Sequence, residues 1–326
     1  MTDKILEVQS LKKSYNGFVA VNEIDFEIKR AEIFGFLGPN GAGKTTTINM
    51  LIGMAKVTSG KIFYNGTDLT KNIKKAQELI GVVPDESNLY DEMSGFDNLC
   101  FCGALYGLAK KEREKKAQQL LGLFQLSDAA NKKFKAYSKG MKRKLTIAAA
   151  LIHNPEILFL DEPTTGIDVA SVRQIRNLIK ELNANGTTIF LTTHYIEEAE
   201  RLCHRVAFID KGKIIKNDSV DNLIAGSHTT IGVEIRFEPV YEKHARITEQ
   251  LKNQFPGFRC MLVNHNIIKI TSETSIDIAP VVSFLSDKGL FIYEARLLKP
   301  SLEEAFAEAT GIEINVMKKE KEKNRP

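Results

Sequence analysis

From Ile5 to Ile28 apolar and polar positions alternate in short runs that break at Tyr15-Asn16-Gly17, a period of two that predicts antiparallel strands joined by a turn. A buried strand over Glu32 to Leu37 then enters a Gly-rich loop, and a helix follows from about Lys44 to Ile52. A second hairpin signal stands at Tyr64-Asn65-Gly66. Residues 70–155 carry good helix formers and few β-branched runs, which predicts a mostly helical inserted lobe. The strand Ile157 to Leu160, a helix over Ala170 to Leu182, the strand Thr187 to Leu191 and a helix from Tyr195 restore the alternation of a parallel sheet. A hairpin from Val206 to Ile215, turning at Lys211-Gly212, closes this part.

The polar segment Ala225-Gly226-Ser227-His228 reads as a linker. Beyond it come a strand (Ile231 to Phe237), a helix (Tyr241 to Gln254), two strands (Cys260 to Val263, Ile267 to Thr271), a helix (Ile276 to Lys288) and a strand (Leu290 to Leu298). That is the βαββαβ order of a ferredoxin-like α+β domain, followed by a last helix over Ser301 to Ala309. The predicted organisation is a domain over 1–225, a second over 226–312 and a charged tail over 313–326. A length of 326 residues suits one core of about 220 residues and another of roughly 90.

Composition narrows the function classes. Hydrophobic content of 43% with 26% charged residues is that of a globular chain, not a disordered one. No run approaches the roughly 18 apolar residues that cross a bilayer, and MTDKILEVQS lacks the apolar core of a signal peptide, so the expectation is a cytoplasmic protein that reaches a membrane only through a partner. The cysteines, Cys100, Cys102, Cys203 and Cys260, are scattered and suit free thiols in a reducing compartment. A net charge of +4 does not point to nucleic acid, although Lys132, Lys133, Lys135, Lys139, Lys142, Arg143 and Lys144 form a local basic run.

The chemistry is carried by three segments. Gly38-Pro39-Asn40-Gly41-Ala42-Gly43-Lys44-Thr45 fits G-x-x-x-x-G-K-S/T between a buried strand and a helix, the setting in which curled backbone N–H groups and a helix N-terminus cradle phosphates. Lys44 then bridges the β- and γ-phosphates of ATP, the Thr45 hydroxyl faces Mg²⁺ and Thr46 lies near the α-phosphate. The strand Ile157 to Leu160 ends in Asp161, placed to hold Mg²⁺ beside Thr45, and in Glu162, placed to act as general base toward water. His194 ends the next strand, within reach of the γ-phosphate.

Over residues 4–225 these segments resemble the nucleotide-binding subunits of ABC transporters. The mark of the family is Tyr137-Ser138-Lys139-Gly140-Met141, standing where the family carries its signature Leu-Ser-Gly-Gly-Gln ahead of the Asp-Glu strand. The resemblance implies an α/β phosphate-loop ATPase fold with an antiparallel β subdomain and a helical lobe. It also implies a head-to-tail pair of ATPase subunits, homodimeric in the simplest case, in which Ser138 and the Gly140 N–H face the γ-phosphate held by the other subunit. A start of helix at Ser138 fits such a donor role. The family also implies that Tyr15 stacks on adenine, that Gly166-Ile167-Asp168 senses the opposite subunit, and that His194 is a switch histidine. The partner would be a membrane-spanning permease on whose inner face the subunit sits, with no nucleic acid expected. The C-terminal part, roughly the last hundred residues with Lys299 to Phe306 near its end, more loosely resembles the accessory domain of exporter-type ABC ATPases of bacteria, including drug and antibiotic exporters.

Two segments depart from the family pattern. Asp85, after Val82-Val83-Pro84, replaces the loop glutamine and is a candidate for the metal site, contacting the ion through water or staying outside its first shell, with an ordinary turn residue as the alternative. Lys139 and Met141 replace the first Gly and the Gln of the signature. Alternatives are a soluble ABC ATPase acting on ribosomes or DNA and a regulatory nucleotide binder. The single phosphate loop and signature, without heptads between them, oppose the first, and Glu162 with His194 opposes the second.

Overall fold

The computed structural model describes residues 3–226, 231–239, 244–272, 274–298 and 301–311. It contains two compact units, one built on Met1–Val220 and the other on Asp221–Glu308.

The first unit holds two sheets. Strands β1 (Lys4–Tyr15) and β2 (Phe18–Lys29) form the expected hairpin, and β1 also pairs with β4 (Ser59–Tyr64), which turns at Asn65-Gly66 into the short β5 (Thr67–Asp68). The second sheet comprises β3 (Ile33–Leu37), β6 (Ile80–Val83), β7 (Ile157–Asp161), β8 (Thr188–Thr193), β9 (Arg205–Asp210) and β10 (Lys213–Ser219), in the order β10-β9-β3-β8-β7-β6. All its neighbours are parallel except β9 with β10. Every residue of β3, β7 and β8 is buried, which is why their sequences read as apolar runs without alternation. The rings of Phe26, from the antiparallel sheet, and of Phe34, Phe36, Phe159 and Phe190, from the parallel one, meet at centroid distances of 5.3 to 6.2 Å.

Helices α1 (Lys44–Leu51), α4 (Lys139–Ala150), α5 (Val169–Ala184) and α6 (Ile196–Leu202) flank this framework, with α2 (Gly95–Leu105) and α3 (Lys110–Leu123) making up the lobe. The lobe is less helical than the composition of 70–155 suggests. Strand β6 falls inside that range, as do short 3-10 turns at Ile73–Glu78, Ser127–Ala129 and Phe134–Ala136. Four residues are too few for periodicity to separate a strand from a helix turn; pairing with β7 decides for the strand.

The second unit follows the predicted βαββαβ order. It comprises β11 (Ile231–Phe237), α8 (His244–Gln254), β12 (Arg259–Asn264), β13 (Ile267–Ser272), α9 (Ile278–Asp287) and β14 (Ile292–Leu298), and ends in α10 (Leu302–Thr310). Its antiparallel sheet has the order β12-β13-β11-β14 over a core that includes Val233, Ile235, Ile268, Ile270, Leu251 and Leu285. Where a linker is expected, Ala225 and Gly226 instead end helix α7 (Val220–Gly226). Ser227 and His228, the expected helix start at Tyr241, and the tail over 313–326 lie outside the described residues.

Candidate functional site

Strands β3, β8 and β7 are neighbours and parallel, so the loops leaving their C-terminal ends converge on one rim of the sheet. The loop from β3 to α1 carries Gly38–Gly43. Gly43 has φ +107, and a Cβ there would stand 2.7 Å from the Ala20 carbonyl oxygen, so only glycine fits. Lys44 is buried, its Nζ 2.8 Å from the Gly38 carbonyl and 3.3 Å from that of Pro39.

Asp161 ends β7. One carboxylate oxygen accepts from Thr192 Oγ1 at 2.5 Å and the other from Thr45 Oγ1 at 3.4 Å. Glu162 follows at φ +49, a left-handed conformation that costs a non-glycine residue about 1–3 kcal/mol and is held here by its N–H donating to Thr192. The turn sends the Glu162 carboxylate away from Asp161. Its Oε2 accepts from His194 Nδ1 at 2.8 Å and from Thr165 Oγ1 at 3.2 Å, while Oε1 lies 3.6 Å from Lys44 Nζ. Burial alone pushes this carboxyl up; the hydrogen bond and charge of His194, with Lys44 and Thr165, outweigh it and hold Glu162 below the usual carboxylate range. His194 Nε2 is buried without a hydrogen-bond partner.

A cleft of about 460 Å³ is lined by Asn40, Gly41, Gly43, Lys44, Thr45, Thr46, Asp161 and Glu162, with Asp85, Phe18 and Ala20. The structure thus gathers the phosphate loop and the carboxylate pair in one place, with His194 joined through Glu162. Gly38, Pro39 and Ala42 shape the loop behind it. Asp85 lines the cleft too, but its carboxylate is 3.7 Å from Arg143; burial, with the nearby Glu162, Asp161 and Glu86, holds this carboxyl above the usual carboxylate range despite that arginine. Tyr15 does not line the cleft. Lys13 Nζ sits 4.5 Å from its ring centroid, and the aromatic residue at the rim is Phe18, its partner across the β1–β2 turn.

Ser138, Gly140 and Asp168 stand apart from the cleft and together with each other. Ser138 caps α4 by accepting from Met141 N at 3.2 Å, and Asp168 caps α5 by accepting from Ser171 N at 2.9 Å and Ser171 Oγ at 2.7 Å. Gly140 lies against Ser171 so tightly that a Cβ would come within 2.1 Å of its hydroxyl. The basic run around them is partly neutralised: Lys133 and Lys135 pair with Glu92, and Lys142 with Asp91.

Two residues to which the sequence assigns no role in the site belong to this region. Arg143, buried on α4, donates to the carbonyl oxygens of Pro84 and Asp85 at 2.6 and 2.5 Å and reaches that of Glu162 at 3.4 Å. Glu198, fully buried on α6, accepts from Thr193 Oγ1, the oxygen that also accepts from Tyr195 N, and so frames His194 from both sides in sequence. Burial pushes the Glu198 carboxyl up.

The donor set fits a magnesium nucleotide. A buried ammonium turned onto neutral carbonyls, a curled glycine loop at a helix start and an orphaned buried imidazole nitrogen suit phosphate oxygens. A hydroxyl and a carboxylate facing each other suit Mg²⁺, which takes one or two protein oxygens and completes its shell with phosphates and water. Among the described residues no cluster of three or more His, Cys, Asp or Glu side chains forms a protein-only metal cage.

Comparison with known proteins agrees. Residues 21–165 match the family model described as ABC transporter. The chain is 34% identical over 309 residues, 94% of its length and 96% of the relative's, to the Bacillus subtilis ABC transporter ATP-binding protein YhcH. It is 44% identical over 211 residues, 65% of its length and 68% of the relative's, to the linearmycin resistance ATP-binding protein LnrL of the same organism. Among solved structures, cbiO1 from Clostridium perfringens, part of the ABC transporter complex cbiONQ, superposes with a TM-score of 0.64 at 27% identity, covering 78% of this chain and 96% of that one. The chain belongs to the ABC transporter family, as an ATP-binding, ATP-hydrolysing subunit.

Proposed function

We propose that this subunit hydrolyses MgATP within a pair of ATPase subunits, each completing the other's nucleotide site, and that it drives export through a separate membrane-spanning permease. The observation that carries the chemistry is the Lys44–Glu162–His194 constellation beside Thr45 and Asp161. Lys44 and the loop N–H groups hold the phosphates, and Thr45 with Asp161 holds Mg²⁺, which supplies charge neutralisation at the phosphates. Glu162, kept ionised by His194, accepts the proton of the attacking water. When the His194 ring carries both protons, Nε2 donates to a phosphate oxygen.

Pairing is supported by the place of Ser138 and Gly140 at the start of α4, outside the chain's own cleft. Export is supported by the names of relatives that include linearmycin resistance and Nod factor export ATP-binding proteins. A full-length match to a transporter ATP-binding protein disfavours a soluble ribosome or DNA role. No described helix is long and apolar enough to cross a membrane, so attachment at the cytoplasmic face falls to the permease in this reading.

The test has two parts. ATP binding by the purified chain should be lost or greatly weakened in Lys44→Ala, and affinity purification from native membranes should recover a polytopic membrane protein. Equal ATP affinity in Lys44→Ala would refute the cradle, and recovery of ribosomes or DNA in place of a membrane protein would refute the transport role.

A further inference from the structure

Arg143 ties helix α4 to a segment that lines the cleft. It stands in the second turn of α4, the helix capped by Ser138, and its side chain crosses to the segment leaving β6. There the guanidinium donates to two consecutive carbonyls, Pro84 and Asp85, and lies 3.7 Å from the Asp85 carboxylate. The same group reaches the carbonyl of Glu162 at 3.4 Å. One turn farther along α4, Thr146 Oγ1 and Ser87 Oγ meet at 2.7 Å, a second tie between helix and segment. A planar fork with several donors satisfies such a set of acceptors; a lysine ammonium on the same stem could meet only part of it.

Asp85 also lines the cleft that holds Thr45 and Asp161. Its carboxylate therefore has two claimants, the arginine it now faces and a cation held by Thr45 and Asp161. A third carboxylate moving in beside Asp161 and Glu162 would bring like charges together, which only the cation could offset.

We propose that Arg143 is a positioning residue that holds the Asp85 carboxylate off the metal position and locks the Pro84–Ser87 segment to α4, so that the segment and the Ser138 helix start move as one body. This rests on the MgATP reading above. It assigns to an arginine on α4 the tie between that helix and the segment that brings Asp85 to the cleft.

The experiment uses the full chain as parent, Arg143→Met, Arg143→Lys, Asp85→Asn and the Arg143→Met/Asp85→Asn double variant. Steady-state ATPase is measured together with the Mg²⁺ dependence of binding of a fluorescent ATP analogue. Arg143→Met should lower kcat by about tenfold with KM within about threefold, and Arg143→Lys should fall between it and the parent. Release of Asp85 should lower the Mg²⁺ concentration for half-maximal binding in Arg143→Met by about threefold or more, and the double variant should cancel that gain. An unchanged Mg²⁺ requirement in a folded Arg143→Met, or a gain that survives in the double variant, would overturn the proposal. Should Arg143→Met not fold, Arg143→Lys combined with Asp85→Asn carries the same comparison. A parent that neither binds nor hydrolyses MgATP would instead bring down the proposed function, whatever the arginine variants do.

Discussion

His194 Nδ1 donates to Glu162 Oε2 at 2.8 Å, and the two residues follow adjacent parallel strands, β8 and β7. The sheet register thus sets the base and the histidine side by side, and the left-handed turn at Glu162 aims its carboxylate toward that neighbour instead of alongside Asp161. The base role proposed for Glu162 and the metal role proposed for Asp161 are thus separated in space although the two residues are adjacent in sequence.

Replacing Glu162 by Gln removes the proton acceptor while keeping the side chain's size. The kcat for ATP should fall by about 10²–10⁴-fold with ATP affinity little changed. ATP should then accumulate a dimer on size-exclusion chromatography. Near-parental turnover with only monomer present would refute both the base assignment and the pairing.

His194→Ala should show itself in the pH profile. Burial raises the Glu162 carboxyl, and His194 is the first of the groups that bring it below its usual value of 4.5. With the histidine gone the burial remains, so the acid limb of kcat/KM should move to higher pH. Stability follows the same sign. A depressed carboxyl contributes stability above the unfolded value and loses it as pH falls through the folded value, so the stability gap between parent and variant should close on acidification. Superimposable limbs in the two proteins would show that His194 does not tune Glu162.

How much of this was legible depended on whether a residue's chemistry is local. Gly43, Lys44 and Thr45 could be read because one loop between a strand and a helix contains the whole cradle. Arg143 could not be singled out by type, since Lys142 and Lys144 flank it in a run that reads as a basic surface. The available signal was the helical period, which puts Gly140, Arg143 and Ile147 on one side of α4, where all three are buried. Strand β6 is hidden in the sequence because its apolar run is so short, and with it the clue that Asp85 leaves a sheet edge beside β7.

Tyr15 and Phe18 face the same test. They are partners across the first hairpin, yet Phe18 lines the cleft with 68% of its surface exposed, whereas Tyr15 has Lys13 on its ring. Base stacking on an aromatic side chain contributes about 1–3 kcal/mol. Phe18→Ala should therefore weaken ATP binding by about tenfold, and Tyr15→Ala by less. The reverse order in a binding titration would return the adenine to Tyr15.

Gly140 offers a test of the signature that needs no knowledge of the partner. A Cβ added there would lie 2.1 Å from Ser171 Oγ and 2.7 Å from Ser171 Cβ, closer than atoms can sit, and Ser171 is itself held by both oxygens of Asp168. The clash falls on a first-turn residue of α5, where a small shift displaces Asp168 as well as Ser138's helix. Gly140→Ala should thus lower the melting temperature and the ATPase rate together, with a stability loss of about 1–3 kcal/mol as for other overpacked sites. Exchanging the two side chains separates sterics from chemistry. In Gly140→Ala/Ser171→Gly the colliding atoms are gone, although α5 gives up a capping contact and about 0.5 kcal/mol of helix propensity. Stability should recover in part. If the α4–α5 contact serves only packing, ATPase should recover with it; if a phosphate across the dimer must approach the position-140 N–H so closely that an added methyl group blocks it, turnover should stay low in the restored fold. A double variant no more stable than Gly140→Ala would show that the Ser171 contact is not what requires glycine at this position.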